Sequence, residues 1–447
     1  MRKNCDYKKG ASSQLEYWPI ISSLVLAFYF AILYFPPLTA VLPSNYVCLG
    51  CFVVWLILSV INDVSYYLNM KPFVLVAFVF YVFSIIMPLI CGYPVIANRY
   101  AGVPLVPFGY VIYDYYKSHG YTRYLRYVFI SMFSLMSVTG VQTYLALINN
   151  PYIARSIKSS GEYSAKLASR GIGGYLFIYA VAAAVPVLLY IFLKSKKKYI
   201  KVLSIVSYVF SILLVTKSNY LTAFLMIIFS SAIVVLGYFI SKGKKITLYI
   251  AFIVITILLI TLFYQPILEF VQSHIPDRIA RVIFNPESDS TISSIRQEFE
   301  YDRLPTVVDS FSSVIKSPLF GILGSRGLDI SGEHIVGFGQ HSYILDTFAL
   351  YGVLIGLLLL NIITHPFKNN GKWVKGDLYF TIAMATSVLF LYTFNNSTDS
   401  IAIMYTIFFP FVRDEFNKPS RTEKKTRRRE ISPFFEQPYM VEYPYDD

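Results

Sequence analysis

The sequence contains few of the residues from which metal and nucleotide sites are built. It has four cysteines and five histidines in 447 residues, and they form neither a His/Cys cluster nor an HExxH motif. No glycine-rich phosphate loop opens a helix, and no carboxylate pair of the nucleotide-sugar type is present. Cys48 and Cys51 have CxxC spacing, but they lie inside an apolar run, which favours helix packing over a redox or metal site. We therefore expect no metal and no other cofactor.

Charge is also scarce: 15% of the residues are charged, 55% are hydrophobic and 17% are aromatic, and the mean hydropathy is +0.54. This composition is too apolar for a soluble globular protein. Apolar runs such as 72–90 and 246–264 are long enough to cross about 30 Å of hydrocarbon as helices. No small-residue cleavage site follows the first apolar run, so we expect a retained helix there. The composition predicts an all-α, polytopic membrane protein.

The apolar runs predict about twelve membrane-spanning helices, which form one transmembrane domain over residues 1–412. The fourth span is the weakest, because Pro104, Pro107 and Asp114 interrupt it. It is kept because an even number of crossings must separate the basic N-terminus from the basic loop 194–201. The predicted spans are 18–35, 46–61, 72–90, 100–116, 124–148, 173–193, 199–216, 219–240, 246–264, 342–364, 377–394 and 400–412.

The distribution of basic residues predicts the orientation of these spans. The segments that connect the spans alternate between the two sides of the membrane. Of the 39 Lys and Arg residues, 27 lie in the segments on the inner side and 12 in those on the outer side. This bias follows the positive-inside rule and predicts that both termini are cytoplasmic. The net charge of +13 is explained mostly by this topology, with attraction to anionic lipid as a further effect, and it does not imply nucleic-acid binding. Residues 413–447 predict a basic, disordered cytoplasmic tail.

The one long polar segment, residues 265–340, is predicted to be an outside loop inserted between spans nine and ten. A loop of this length without regular structure is uncommon and usually functional. It contains six basic residues and ten carboxylates. Arginine offers a planar fork suited to phosphate, so one explanation of the arginines in this loop is binding of an anionic ligand. The alternative explanation is that they form salt bridges with carboxylates of the same loop. The candidate phosphate-binding residues are Arg296, Arg303 and Arg326 in this loop, together with Arg99, Arg170 and Lys217 in other outside segments.

Two further polar residues lie at the outside ends of predicted spans. His341 directly precedes span ten, where a helix N-terminus favours the neutral, basic imidazole. It is a candidate general base, and a capping or interfacial histidine is the alternative. Lys217 lies in the turn Thr216-Lys-Ser-Asn219 between spans seven and eight. A lysine so close to hydrocarbon needs either an anionic partner or a snorkelling side chain.

Several short motifs in this part of the chain resemble those of the O-antigen polymerase (Wzy) and O-antigen ligase superfamily. The hydropathy resemblance covers the whole chain, and the motif resemblance covers about residues 216–356. The turn at 216–219 departs from the family pattern, since Asn219 stands where many members have a basic residue. The matching motifs are Ser294-Ile-Arg296, Pro318-Leu-Phe-Gly321-Ile-Leu-Gly324, and His341-Ser-Tyr-Ile-Leu345 followed by Gly352.

The resemblance implies a GT-C-like glycosyltransferase with a long periplasmic loop in the bacterial inner membrane. Its substrates would be undecaprenyl-pyrophosphate-linked oligosaccharides, used without a metal, and a chain-length regulator is a further partner that this function implies. The family's loop arginine corresponds to Arg296 and its histidine to His341. A repeat-unit polymerase is the leading interpretation, and an O-antigen ligase acting on lipid A–core is the nearest alternative. A non-enzymatic lipid-linked oligosaccharide flippase is also open, although a flippase should carry charges within its spans, which are nearly charge-free here.

Overall fold

The computed structural model describes residues 17–69, 71–93, 105–157, 162–242, 304–324, 330–331, 334–335, 342–369, 372–373, 377–394 and 404–416. These parts are helical except for short turns and two antiparallel pairs of two-residue strands, Ile330–Ser331 with His334–Ile335 and Lys368–Asn369 with Lys372–Trp373. The α-helices are α1 (Tyr17–Tyr34), α2 (Pro36–Val41), α3 (Ser44–Asn62), α4 (Val64–Leu68), α5 (Pro72–Ile90), α6 (Leu105–Ser118), α7 (Thr122–Asn149), α8 (Glu162–Ser169), α9 (Tyr175–Lys194), α10 (Lys198–Lys217), α11 (Leu221–Ser241), α12 (Leu304–Lys316), α13 (Gly321–Gly324), α14 (Tyr343–Tyr351), α15 (Val353–Thr364), α16 (Leu378–Phe394) and α17 (Phe409–Phe416).

Six of these helices, α1, α5, α7, α9, α10 and α11, are long and apolar enough to cross a membrane. Three shorter apolar helices cover 46–62, 353–367 and 378–393. The chain is thus an α-helical membrane protein, as its composition predicts. The ends of the six long helices lie within a few residues of the predicted spans. The ninth predicted span, 246–264, and most of the loop 265–340 lie outside the described residues.

The prediction of one continuous span over 342–364 is wrong. The helix stops at Tyr351 and a second helix begins at Val353, because Gly352 has a φ of +85°. This left-handed conformation is accessible to glycine and interrupts the helical path. The last helix differs in a smaller way, since it continues to Phe416, past the predicted boundary at 412, and a π-helical turn at Met404–Phe408 precedes it.

The helix α9 lies at the centre of the bundle. In its most apolar window 83% of the residues are buried, compared with 22% in the adjacent α10. Helix α9 contains a run of small residues, Ala182, Ala183 and Ala184, each at most 2% exposed. Small side chains allow neighbouring helices to approach closely, which is how helices associate where lipid removes the hydrophobic driving force.

Ion pairs collect at one end of the bundle, which we call the ion-pair end. There α17, the last helix that the structure describes, is held by Arg413, whose Nη1 donates to the carbonyl oxygen of Pro366 at 3.0 Å. The opposite end, called the distal end, holds residues 150–157 and 162–174, the turn at 218–219 and Ser342. The ion pairs at the ion-pair end are Lys71–Asp114, Lys117–Asp414, Arg126–Glu415, Lys194–Asp377 and His119–Asp63.

Candidate functional site

The structure describes two of the seven candidate site residues, and both lie at the distal end. Lys217 is the last residue of α10 and is half-buried, and Arg170 follows α8 and is exposed. Neither forms an ion pair within the described parts of the chain, and the structure does not bring them into contact. His341 and the arginines at positions 99, 296, 303 and 326 lie outside the described residues, so their predicted roles stay predictions.

The segment after the loop is fixed by contacts between two glycine-containing turns. The backbone N–H of Val353 donates to the carbonyl oxygen of Pro318 at 2.7 Å. A Cβ atom on Gly352 would overlap the Leu319 carbonyl, and one on Gly321 would overlap the backbone of Leu350. Both glycines also have positive φ values, +85° and +63°. We call this arrangement the glycine interlock, and it joins the Pro318–Gly324 motif to the break after α14.

The interlock changes the interpretation of the motif glycines. Glycines in such a motif can let a backbone turn tightly and come close to another group, including a ligand. The tight turn is present, but the close approach is to the backbone at Leu350 and Tyr351. Tyr351 extends the contact, since its hydroxyl donates to the carbonyl oxygen of Ser84 on α5 at 3.0 Å. The described part of the motif therefore works as a structural joint.

The helix start next to His341 is present as the sequence predicts. Ser342 is the N-cap of α14, and its Oγ accepts a hydrogen bond from the N–H of Leu345 at 3.2 Å. Such a cap satisfies one of the amide groups that lack a partner within the helix. Asp346 lies in the first turn, where a carboxylate suits the positive end of the helix dipole. Asp346 is 2% exposed, and it accepts a hydrogen bond from the Ser310 hydroxyl at 2.9 Å.

A second polar cluster at the distal end was not singled out from the sequence. Arg155 lies in a 3-10 turn before α8, and its Nη2 donates to the backbone oxygen of Asn219 at 2.6 Å. Its guanidinium lies 4.9 Å from the centre of the Tyr220 ring. Asn219 is fully buried with a φ of +56°, and Tyr220 is 5% exposed. This cluster of three residues is called the Arg155 cluster.

The Arg155 cluster could not be found from spacing, because 64 residues separate Arg155 from Asn219. One signal was available in the sequence. The turn Thr216–Asn219 is polar between two apolar spans, and a buried asparagine needs hydrogen-bond partners. The identity of the arginine that approaches it depends on how α7, α9 and α11 pack, which is a tertiary property.

The described residues contain no group of three His, Cys, Asp or Glu side chains that could hold a metal ion. A scan against protein-family models finds no match to this chain, and a search of curated proteins finds no relative. The features that indicate a function are therefore the motifs, the helical membrane fold and the polar groups at the distal end.

Proposed function

We propose that this protein is a repeat-unit polymerase: a metal-independent, twelve-span glycosyltransferase of the bacterial inner membrane with both termini in the cytoplasm. It would transfer a glycan from an undecaprenyl-pyrophosphate carrier onto the non-reducing end of a lipid-linked repeat unit at the periplasmic face. The distal end of the bundle is the periplasmic end in this proposal.

The glycine interlock is the observation that carries the proposal. It fixes the chain on both sides of the segment that contains two predicted site residues. Arg326 follows Gly324 by two residues, and His341 directly precedes the N-cap Ser342. The interlock packs α13 against α14, so the residues that flank the segment between Gly324 and Ser342 belong to one packed unit. A site that needs a cation and a base around one substrate benefits from such fixed anchors.

The chemistry requires those two kinds of group. The acceptor hydroxyl oxygen attacks the anomeric carbon of the donor sugar, and the bond from that carbon to the pyrophosphate oxygen breaks. The leaving pyrophosphate gains negative charge, which preorganised arginines such as Arg296 and Arg326 would stabilise. The acceptor hydroxyl loses its proton to His341, since an imidazole with the ordinary pKa of about 6.5 accepts a proton at neutral pH.

The ion-pair end supports the proposed orientation. Its cations, such as Lys71, Lys117 and Lys194, belong to segments that the charge bias assigns to the cytoplasm. Lys217, Arg170 and the helix start after His341 lie at the other end. A transferase that uses a lipid-linked donor at the periplasmic face needs its polar groups at that end.

The direct test is turnover by purified His341→Gln enzyme on lipid-linked repeat units. Loss of a general base lowers a rate by about 10²- to 10⁴-fold, so we expect polymer formation to be almost abolished. His334→Gln is the matched control, because His334 lies in the two-residue strand pair and has no assigned role. Near wild-type turnover of His341→Gln would remove His341 from the mechanism.

The three alternative functions can be distinguished by the glycan that accumulates in a deletion strain. A single repeat unit on the surface lipid would indicate loss of a polymerase. Polymer left on the undecaprenyl carrier would indicate loss of a ligase. Loss of surface polymer, together with lipid-linked repeat units that accumulate on the cytoplasmic side, would indicate loss of a flippase.

A further inference from the structure

The Arg155 cluster contains four buried polar atoms without a hydrogen-bond partner among the described residues. They are Nε of Arg155, Nδ2 and Oδ1 of Asn219, and the hydroxyl oxygen of Tyr220. Buried polar atoms in folded proteins are almost always paired, so four unpaired atoms on three contacting residues are an exception that needs a cause. A ligand group that pairs with them would supply it.

The charge of the cluster indicates the kind of ligand. Arg155 forms no ion pair with a carboxylate within the described residues, and its guanidinium lies 6.0 Å from the centre of the Tyr152 ring and 4.9 Å from that of Tyr220. Arg155 is half-buried with its Nε enclosed, and a partly desolvated cation gains from an anionic partner, which favours an anionic ligand. Arg155 Nε, Asn219 Nδ2 and the Tyr220 hydroxyl are three donors for an oxyanion.

The remaining atom adds a second requirement. Oδ1 of Asn219 is an acceptor, so it would repel an oxyanion oxygen but would accept a hydrogen bond from a neighbouring hydroxyl group. The aromatic rings of Tyr175 and Tyr179 pack against Tyr220, with ring centres 5.5 and 5.8 Å away, and form an apolar wall beside the cluster.

We propose that Arg155, Asn219 and Tyr220 form a binding site for an oxyanion that has an adjacent hydroxyl group, as in a sugar phosphate or a uronic acid. This proposal assigns a class of ligand to the distal end. It rests on the proposed function only in taking the ligand to be part of the lipid-linked substrate. It is formed by described residues alone, and none of them belongs to the set predicted from the sequence.

The test is direct binding to the full-length protein in detergent, measured by calorimetry and by saturation-transfer NMR. The probes are glucose 1-phosphate, glucuronate, inorganic phosphate and glucose. Tighter binding of glucose 1-phosphate would identify a phosphorylated ligand, and tighter binding of glucuronate a carboxylated one. Binding of inorganic phosphate as tight as that of both sugar acids would contradict the required hydroxyl, and equal binding of glucose would contradict the required charge. If neither glucose 1-phosphate nor glucuronate binds, the proposal is overturned and ordered water is the partner of these atoms.

Asn219→Asp gives the decisive variant. Aspartate tolerates the positive φ at this position, and its carboxylate would place an anion beside the Arg155 guanidinium. We therefore expect a melting temperature raised by about 1–3 °C together with binding weakened by roughly 10- to 100-fold. Lys166→Gln, on the exposed face of α8, removes one positive charge nearby and should leave binding unchanged. Wild-type affinity in Asn219→Asp would overturn the site.

Arg155→Gln supports the assignment from the other side. It removes the charge but keeps a donor, so binding of the charged probes should fall while binding of glucose stays at its weak level. Since these measurements need no turnover, they separate the site from the polymerase proposal. His341→Gln should bind the probes normally even when it forms no polymer, and loss of binding in that variant would contradict the placement of the site at the Arg155 cluster.

Discussion

Single residues decide the shape of the chain where backbones meet. Gly352 is the clearest position, because it combines a φ of +85° with a Leu319 carbonyl oxygen only 2.2 Å from where a Cβ atom would lie. Gly352→Ala should therefore destabilise the protein by about 1–3 kcal/mol from strain alone, seen as a lower melting temperature in detergent. Gly50→Ala is the matched control: no atom lies within 4 Å of the added methyl group, and alanine suits a helix interior better than glycine. Equal melting temperatures for the two variants would show that the interlock contributes nothing.

The helix start after His341 was predicted from the sequence, and its cause is local. Ser342 caps α14 because a serine before an apolar run offers its hydroxyl to an amide three residues on, and this signal is readable in sequence. The use of Gly321 as a packing contact was not readable, since its partner at Leu350 comes from a different helix. Arg155 was missed for the same reason. Local hydrogen bonds can be predicted from sequence, and contacts between distant helices cannot.

At the scale of elements, the C-terminal helix α17 is attached by charged side chains. Asp414 accepts hydrogen bonds from Lys117 at 2.6 Å and from the Tyr113 hydroxyl at 2.5 Å, beyond the predicted end of the last span. Burial raises the pKa of Asp414, but these hydrogen bonds outweigh it and leave the pKa below its ordinary value. A lowered pKa in the folded state means that this carboxylate stabilises the attachment above its unfolded pKa. The contribution is lost as the pH falls through the lowered value.

We predict that Asp414→Asn weakens the attachment of α17 by about 1 kcal/mol, because a partly exposed charged contact is screened by solvent. Hydrogen exchange of residues 409–416 should be faster in the variant at neutral pH. Wild-type protein should approach the variant's exchange protection only below the ordinary pKa of a carboxyl group. Asp309→Asn, on α12, is the control, since that substitution does not involve α17. Identical exchange of α17 in Asp414→Asn and wild type would show that Asp414 contributes nothing to its attachment.

Element boundaries were predictable for the long apolar helices, because hydropathy alone marks a segment that can cross hydrocarbon. The break within 342–364 was not, although Gly352 was visible. A glycine inside an apolar run is common in membrane helices, and what converts it into a break here is the Pro318 carbonyl, which accepts the Val353 N–H. The segment's hydropathy contains no information about that partner.

The whole molecule has two unlike ends, and this asymmetry predicts its orientation in the membrane. The ion-pair end gathers lysines that pair with carboxylates, whereas the distal end carries the Arg155 cluster and the helix start beside His341.

If the lysine-rich end is cytoplasmic, Lys197→Cys lies inside and Ser169→Cys and Ser325→Cys lie outside. In a variant without the native cysteines, an impermeant maleimide should label positions 169 and 325 in outer-permeabilised cells and position 197 only after lysis. Ser169 and Lys197 are both exposed, so poor access would not explain a difference between them. Labelling of position 197 in unlysed cells, with protection at 169, would show that the orientation is the reverse. The proposed chemistry would then lie on the cytoplasmic side, where a carrier-linked glycan polymerase could not act on exported repeat units.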